Sequence, residues 1–152
     1  MKNFTITLFL IFLLVLPAVI FANPYEWPII RVIDGDTVVF KADFLPLDFK
    51  QELHLRIWGV DTPEKGRRAQ CPQEAARSEA ATRFTTEAIN AAKKREIYIK
   101  EWDKYGGRVL GDLILDGKNL RIMLLANGYA REYYGAKKFS WCTIPQTQSL
   151  EH

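Results

Sequence analysis

Seven charged side chains stand out for their types and spacing: Asp34, Asp36, Arg56, Asp61, Glu64, Asp103 and Arg108. Asp34-Gly35-Asp36 separates two β-branched runs, and Asp61-Thr62-Pro63-Glu64 follows an alternating segment. Singly, each stretch reads as turn or cap chemistry. Together they can do more. In a small barrel, the tip of the first hairpin and the end of the third strand can lie side by side, bringing Asp36 near Asp61. Two such carboxylates repel unless a cation sits between them. With no usable histidine or cysteine nearby, ligation would be by oxygen alone, which suits a hard cation, Ca²⁺ or Mg²⁺. Arg56 precedes Asp61 in the same segment, and Arg108 opens a later strand. Two guanidinium forks beside a cation match the paired oxygens of a phosphodiester. Glu64 shares a turn with Asp61 and can reach a water near such a cation.

The elements that must position these groups follow from hydrophobic period. Ile29–Asp34 and Thr37–Ala42 read as a hairpin broken at Asp34-Gly35-Asp36. Residues 43–50, with Pro46 and two aspartates, read as a loop. Glu52–Val60 alternates, with Leu53, Leu55 and Ile57 on one side and His54, Arg56 and Trp58 on the other, as in a half-buried strand. Gly59 near its end points to a bulge or a close backbone approach. Pro72–Lys94 has the marks of a long helix: Pro at the first position, Glu74 in the first turn and Lys93-Lys94 in the last. Ala80, Phe84, Ala88 and Ala91 or Ala92 form its expected inward stripe. Ile97–Trp102 and Arg108–Leu115 read as strands joined by the turn 103–107. Leu120–Ala126 reads as a second helix stopped by Asn127-Gly128. Residues 129–141 are aromatic and basic with no clear period.

Five short strands, a long helix after the third and a second helix after the fifth predict a mainly β, α+β chain. The architecture that fits is a five-stranded Greek-key barrel of the OB type.

The rest of the chain bounds the context. Its 152 residues suit one domain, and 48% hydrophobic with 26% charged residues excludes disordered and low-complexity classes. A formal charge of +3 is small for a non-specific phosphate binder, so any nucleic-acid reading rests on where the arginines sit. Residues 1–22 have the layout of a secretory signal peptide: Lys2, a Leu/Ile/Phe/Val run, Pro17, and Ala22 before the cleavage point. An uncleaved membrane anchor is the competing reading. The mature domain is then residues 23–149, and Leu150-Glu151-His152 resembles a tag remnant. The expected location is outside the cytoplasm, periplasmic or secreted. In that oxidising setting Cys71 and Cys142 read most simply as one disulfide, with two free buried thiols as the alternative.

Three segments carry a family resemblance. Val32-Ile33-Asp34-Gly35-Asp36-Thr37, the run from Arg56 through Glu64, and Asp103-Lys104-Tyr105-Gly106-Gly107-Arg108 resemble the signature segments of the staphylococcal nuclease family. Pro72-Gln73-Glu74-Ala75 resembles the start of its first long helix, and Gly128-Tyr129-Ala130 with Tyr133-Tyr134 the segment after its second. The resemblance implies Ca²⁺ held by Asp36, Asp61 and the Thr62 carbonyl. It implies Glu64 orienting or deprotonating the attacking water, Arg56 and Arg108 gripping the scissile phosphate, and Lys104, Tyr105 and Tyr134 flanking the nucleotide. The implied activity is a calcium-dependent cleavage of DNA and RNA with little sequence preference, favouring single-stranded or unstacked regions; for the oligomeric state, which the sequence leaves open, a monomer is the default. Three features depart from the pattern: the additional glycine before Arg108, the tail around Phe139-Ser140-Trp141-Cys142 where a third helix is expected, and the cysteine pair. Two other readings are a non-catalytic OB module that binds nucleic acid, and an oligosaccharide barrel stacking sugars on Trp27, Trp58, Trp102 and Trp141. The second leaves the carboxylate–arginine set unused.

Overall fold

The computed structural model describes residues 25–142. The proposed signal peptide and the tag-like end lie outside the described residues.

The strands are β1 (Ile29–Asp34), β2 (Thr37–Lys41), β3 (Glu52–Ile57), β4 (Val60–Asp61), β5 (Arg95–Trp102), β6 (Arg108–Leu115), β7 (Lys118–Asn119) and β8 (Arg131–Glu132). The helices are α1 (Pro72–Ala91) and α2 (Leu120–Ala126). The main sheet runs β1-β2-β3-β6-β5, with β7 beside β6, and β4 pairs separately with β8. Neighbours are antiparallel except β3 and β6, which run parallel because α1 and β5 intervene in the chain. This is the expected mainly β, α+β arrangement of OB type. Among the described residues no ladder joins β1 to β5; a single bridge from Tyr25 to Ile97 ties the lead-in to that far strand. Among the described residues the expected barrel is therefore an open strand path, not a hydrogen-bonded ring.

Apolar alternation sets the core. Leu53, Leu55 and Ile57 of β3 and Val109, Leu113 and Leu115 of β6 point inward, joined by Val38, Phe40, Ile97, Leu120 and Leu124. Gly111 is required at the β5–β6 crossing, where an added Cβ would lie 2.2 Å from the Tyr98 carbonyl oxygen.

Several expected boundaries move, each for a physical reason. Helix α1 stops at Ala91, not Lys94. Asp116 in the turn after β6 accepts hydrogen bonds from the main-chain N–H groups of Lys93 and Lys94, so the chain peels off before those lysines enter the helix. Its inward stripe is Glu74, Ser78, Ala81, Thr85 and Ile89, one position from the alanine line, with Phe84 and Ala88 at its border. Three polar residues on that stripe disguise it. The third strand ends at Ile57 because Gly59, with φ of +77°, turns the chain and lets β4 pair elsewhere. Residues 131–132 of the periodless stretch supply β8, too short to leave a pattern.

Candidate active site

The tip of the β1–β2 hairpin is built to hold Asp36. The Asp36 N–H donates to Asp34 Oδ1 at 3.3 Å, and Thr85 on α1 donates its hydroxyl to the Gly35 carbonyl at 2.7 Å. A Cβ on Gly35 would come within 2.8 Å of Ala81 Cβ, so only glycine lets the tip press onto the helix. Asp36 is 1% exposed. Its Oδ1 accepts from Thr37 Oγ1 at 2.9 Å and from Arg56 Nη1 at 2.8 Å, and its Oδ2 from the Thr62 N–H at 3.1 Å. Burial pushes the Asp36 carboxyl from 3.8 up to about 7, against the opposing pull of Arg56.

Arg56 stands opposite Thr37 in the β2–β3 ladder, and that register delivers its fork to both predicted ligands. Nη1 pairs with Asp36, and Nη2 lies 3.7 Å from Asp61 Oδ1. Asp36, Asp61 and Thr62 are thus brought together at the junction of the hairpin and β4, all buried. The sheet register, with Arg56 opposite Thr37, is what brings them together.

Glu64 is set by a residue that pattern reading credited only with a helix-end charge. Glu74, 3% exposed, accepts the N–H of Glu64 on Oε1 at 3.1 Å and the N–H of Gln70 on Oε2 at 2.7 Å. It clamps both ends of the loop that follows β4. The Glu64 carboxylate is one-third exposed and lies between two cations, Lys138 Nζ at 3.0 Å and Arg68 Nε at 3.3 Å.

Arg108 starts β6 and is aimed by Asp103, whose Oδ2 accepts from Nε at 2.6 Å. Its guanidinium carbon lies 4.7 Å from the centre of the Tyr105 ring. The additional glycine is absorbed in the turn, where Gly107 takes φ of +74° with open space around it. Lys104 Nζ lies 5.2 Å from the same ring. Tyr134 packs edge-on to Trp58 at 4.9 Å and accepts a hydrogen bond from Arg121 at 2.8 Å.

One cavity of about 770 Å³ is lined by Arg56, Glu64, Lys104, Tyr105, Arg108 and Tyr134 together. Asp36, Asp61 and Thr62 are not on its wall but are tied to it through Arg56. The wall includes residues that sequence reading did not single out for the site, Arg68 and Lys138 among them. Neither sits in a motif; only the fold brings them in.

The donor set fits a hard cation. It is all oxygen, and Asp61 Oδ1 is buried without a hydrogen bond. Lys138 Nζ lies 2.6 Å from that atom as an ion pair lacking hydrogen-bond alignment. The other grouping of metal-type ligands, Cys71, Glu74 and Cys142, is not available for an ion. Its two sulfurs are joined in a disulfide, with Cα atoms 5.9 Å apart. That disulfide is the pairing expected for an exported chain.

A small sheet with two arginines, a loop glutamate and buried carboxylates places a set of groups suited to binding a phosphate and a cation on an OB-like scaffold. The match to known proteins agrees: residues 54–151 fit the model of the staphylococcal nuclease homologues, and the chain belongs to that family. It is also 37% identical over 111 residues to a thermonuclease of Staphylococcus hyicus. That alignment covers 72% of this chain but 60% of the relative, so the chain spans less than two-thirds of that protein. The family match begins at His54 and takes in the candidate site residues from Arg56 onward, but not Asp34 or Asp36.

Proposed function

We propose that this protein is a nuclease that hydrolyses phosphodiester bonds of DNA and RNA with little sequence preference, dependent on Ca²⁺. One observation carries the reading: Arg56, Glu64 and Arg108 line a single cavity, with two buried carboxylates tied to Arg56 behind it. A binding module has no use for a glutamate among the phosphate-holding cations.

Arg56 and Arg108 approach the cavity from β3 and β6, adjacent parallel strands, so a phosphate can be gripped between them. Both forks are pre-aimed by carboxylates, Arg56 by Asp36 and Arg108 by Asp103, which limits reorganisation as charge builds on the phosphoryl oxygens. Glu64, fixed by Glu74, orients a water and takes its proton during in-line attack. Lys104, Tyr105 and Tyr134 contact the flanking nucleotide, the tyrosines by stacking. Asp36, Asp61 and the Thr62 carbonyl would hold the calcium, which when bound adds positive charge against the developing oxyanion. The Cys71–Cys142 disulfide suits an oxidising compartment, in keeping with the proposed export.

The test is digestion of plasmid, single-stranded DNA and RNA by the purified mature chain with Ca²⁺, with Mg²⁺ and with chelator. Cleavage with Ca²⁺ and its loss on chelation are expected, with Mg²⁺ supporting little turnover because it holds its waters and demands tighter geometry. Full activity in chelator overturns the metal assignment. Tight binding without cleavage under any condition would favour the non-catalytic module.

A further inference from the structure

The segment between β8 and Cys142 lacks the expected third helix, yet it is firmly tied to β4, β8 and α1. Trp141 is 6% exposed and donates its indole N–H to Asp61 Oδ2 at 3.1 Å. Arg131 covers the Trp141 ring at 3.9 Å and donates to the Ser140 carbonyl at 2.9 Å. Arg77 on α1 donates to the Trp141 carbonyl at 2.9 Å, and Cys142 is bonded to Cys71 at the start of α1. This strap touches the candidate metal site through the Trp141–Asp61 hydrogen bond. It places Lys138 Nζ 2.6 Å from Asp61 Oδ1 and 3.0 Å from Glu64 Oε1.

The two Asp61 oxygens are therefore treated differently. Trp141 holds Oδ2 with a directed hydrogen bond, which fixes the carboxylate plane. Lys138 meets Oδ1 as an ammonium–carboxylate ion pair, with Arg56 Nη2 farther off at 3.7 Å. We propose that Lys138 is a built-in cation for this site: in the metal-free protein its ammonium pairs with both Asp61 and Glu64, and a divalent cation must displace it to bind. Lys138 thereby sets the cation concentration at which the site fills, and when it moves it frees Glu64 Oε1 while Arg68 stays paired with Oε2. This rests on the metal reading given above for Asp36 and Asp61.

The physical basis is competition between like charges for one set of oxygens. An ammonium and a divalent ion cannot share Asp61 Oδ1 at contact distance. Displacement is sterically open, because the Lys138 side chain is 42% exposed and lines the large cavity. Its four-carbon stem can turn toward that cavity while Trp141 and the disulfide keep the strap in place. Lys138 Nζ also lies 5.6 Å from the Tyr133 ring, a second cation-accepting surface beside the site.

The test uses the full mature chain and reads Ca²⁺ binding without nucleic acid, by calorimetry. Lys138→Met, which keeps the stem and removes the charge, should bind Ca²⁺ on the order of tenfold more tightly than the parent. Lys138→Arg, which keeps the charge, should stay near the parent. A second readout is the acetylation rate of Lys138, followed by mass spectrometry, which should rise when Ca²⁺ is added to the parent protein. Unchanged or weaker Ca²⁺ binding by Lys138→Met, with Ca²⁺-dependent cleavage intact, overturns the proposal and leaves the metal reading standing. Absence of Ca²⁺ binding by both parent and Lys138→Met overturns both.

Discussion

At the scale of single residues, Arg56 and Arg108 look alike in their candidate role but differ in what else they hold. Arg56 is the charge partner of the buried Asp36, whereas Arg108 pairs with Asp103 at the rim of a turn. Lysine at either position keeps a charge and loses the fork, so each substitution should lower kcat on the order of 10²-fold. Arg56→Met should in addition cost about 3 kcal/mol in denaturant unfolding, because it strands a buried carboxylate. Arg108→Met should leave stability nearly unchanged. The Asp36 carboxyl carries its own signature. Its pKa in the fold, about 7, lies above the ordinary 3.8, so folding favours the protonated form. In the metal-free protein this contribution to stability is present below about pH 4, is lost as pH rises toward 7, and is then constant. Cation binding runs the other way, since the carboxyl must lose its proton. Calcium affinity should fall by up to about tenfold per unit below pH 7, as read by calorimetry across pH.

Elements carry these residues through a few contacts that substitutions can isolate. Helix α1 does two jobs at its first turns: Glu74 clamps the Glu64 loop, and Cys71, which caps the helix, anchors the strap. Glu74→Gln retains one acceptor for two N–H donors, so it should cost about 1–3 kcal/mol and depress kcat more than it alters KM. Steady-state kinetics alongside thermal melts separate the two effects. Cys71 and Cys142 are 71 residues apart in sequence. Closing so long a loop implies a stabilisation of up to about 4 kcal/mol, so reduction should lower Tm markedly while the β2–β3–β6 ladders persist. Gly59→Ala should be costly for two reasons, the positive φ and a Cβ placed 2.9 Å from the Tyr134 ring. Its expected mark is a raised KM for oligonucleotides, since the displaced tyrosine faces the cavity.

For the whole molecule, the site is a junction rather than an element. Asp36 comes from a hairpin tip, Asp61 from β4, Glu64 from the loop behind it, and Arg108 from the far side of the parallel β3–β6 pair. A cation bound at Asp36 and Asp61 joins parts of the fold that the unfolded chain holds apart, so it stabilises the native state alone. At a Ca²⁺ concentration of one hundred times Kd, the gain should be about 2.7 kcal/mol, and chelation should reverse it. Thermal melts against Ca²⁺ concentration measure this without any substrate. A Tm indifferent to Ca²⁺ would count against the assignment of these two carboxylates.

Local rules in the chain were enough to determine the β1–β2 hairpin, the β3 alternation, the β6 strand and α2. Each is declared by a period or a turn residue whose physics is complete within a few positions. The motif residues Asp36, Arg56, Asp61, Glu64 and Arg108 were visible for the same reason, as polar residues at strand ends and turns. Tertiary structure alone decided the end of α1, because the Asp116 carboxylate that captures Lys93 and Lys94 arrives from a distant turn. It alone decided the polar inward stripe of α1, since Glu74 and Thr85 are buried to satisfy backbone groups of other segments. The same holds for Lys138, Trp141 and Arg131. They lie in a stretch with no period, and a side chain in such a stretch acquires its meaning only from what long-range packing sets against it.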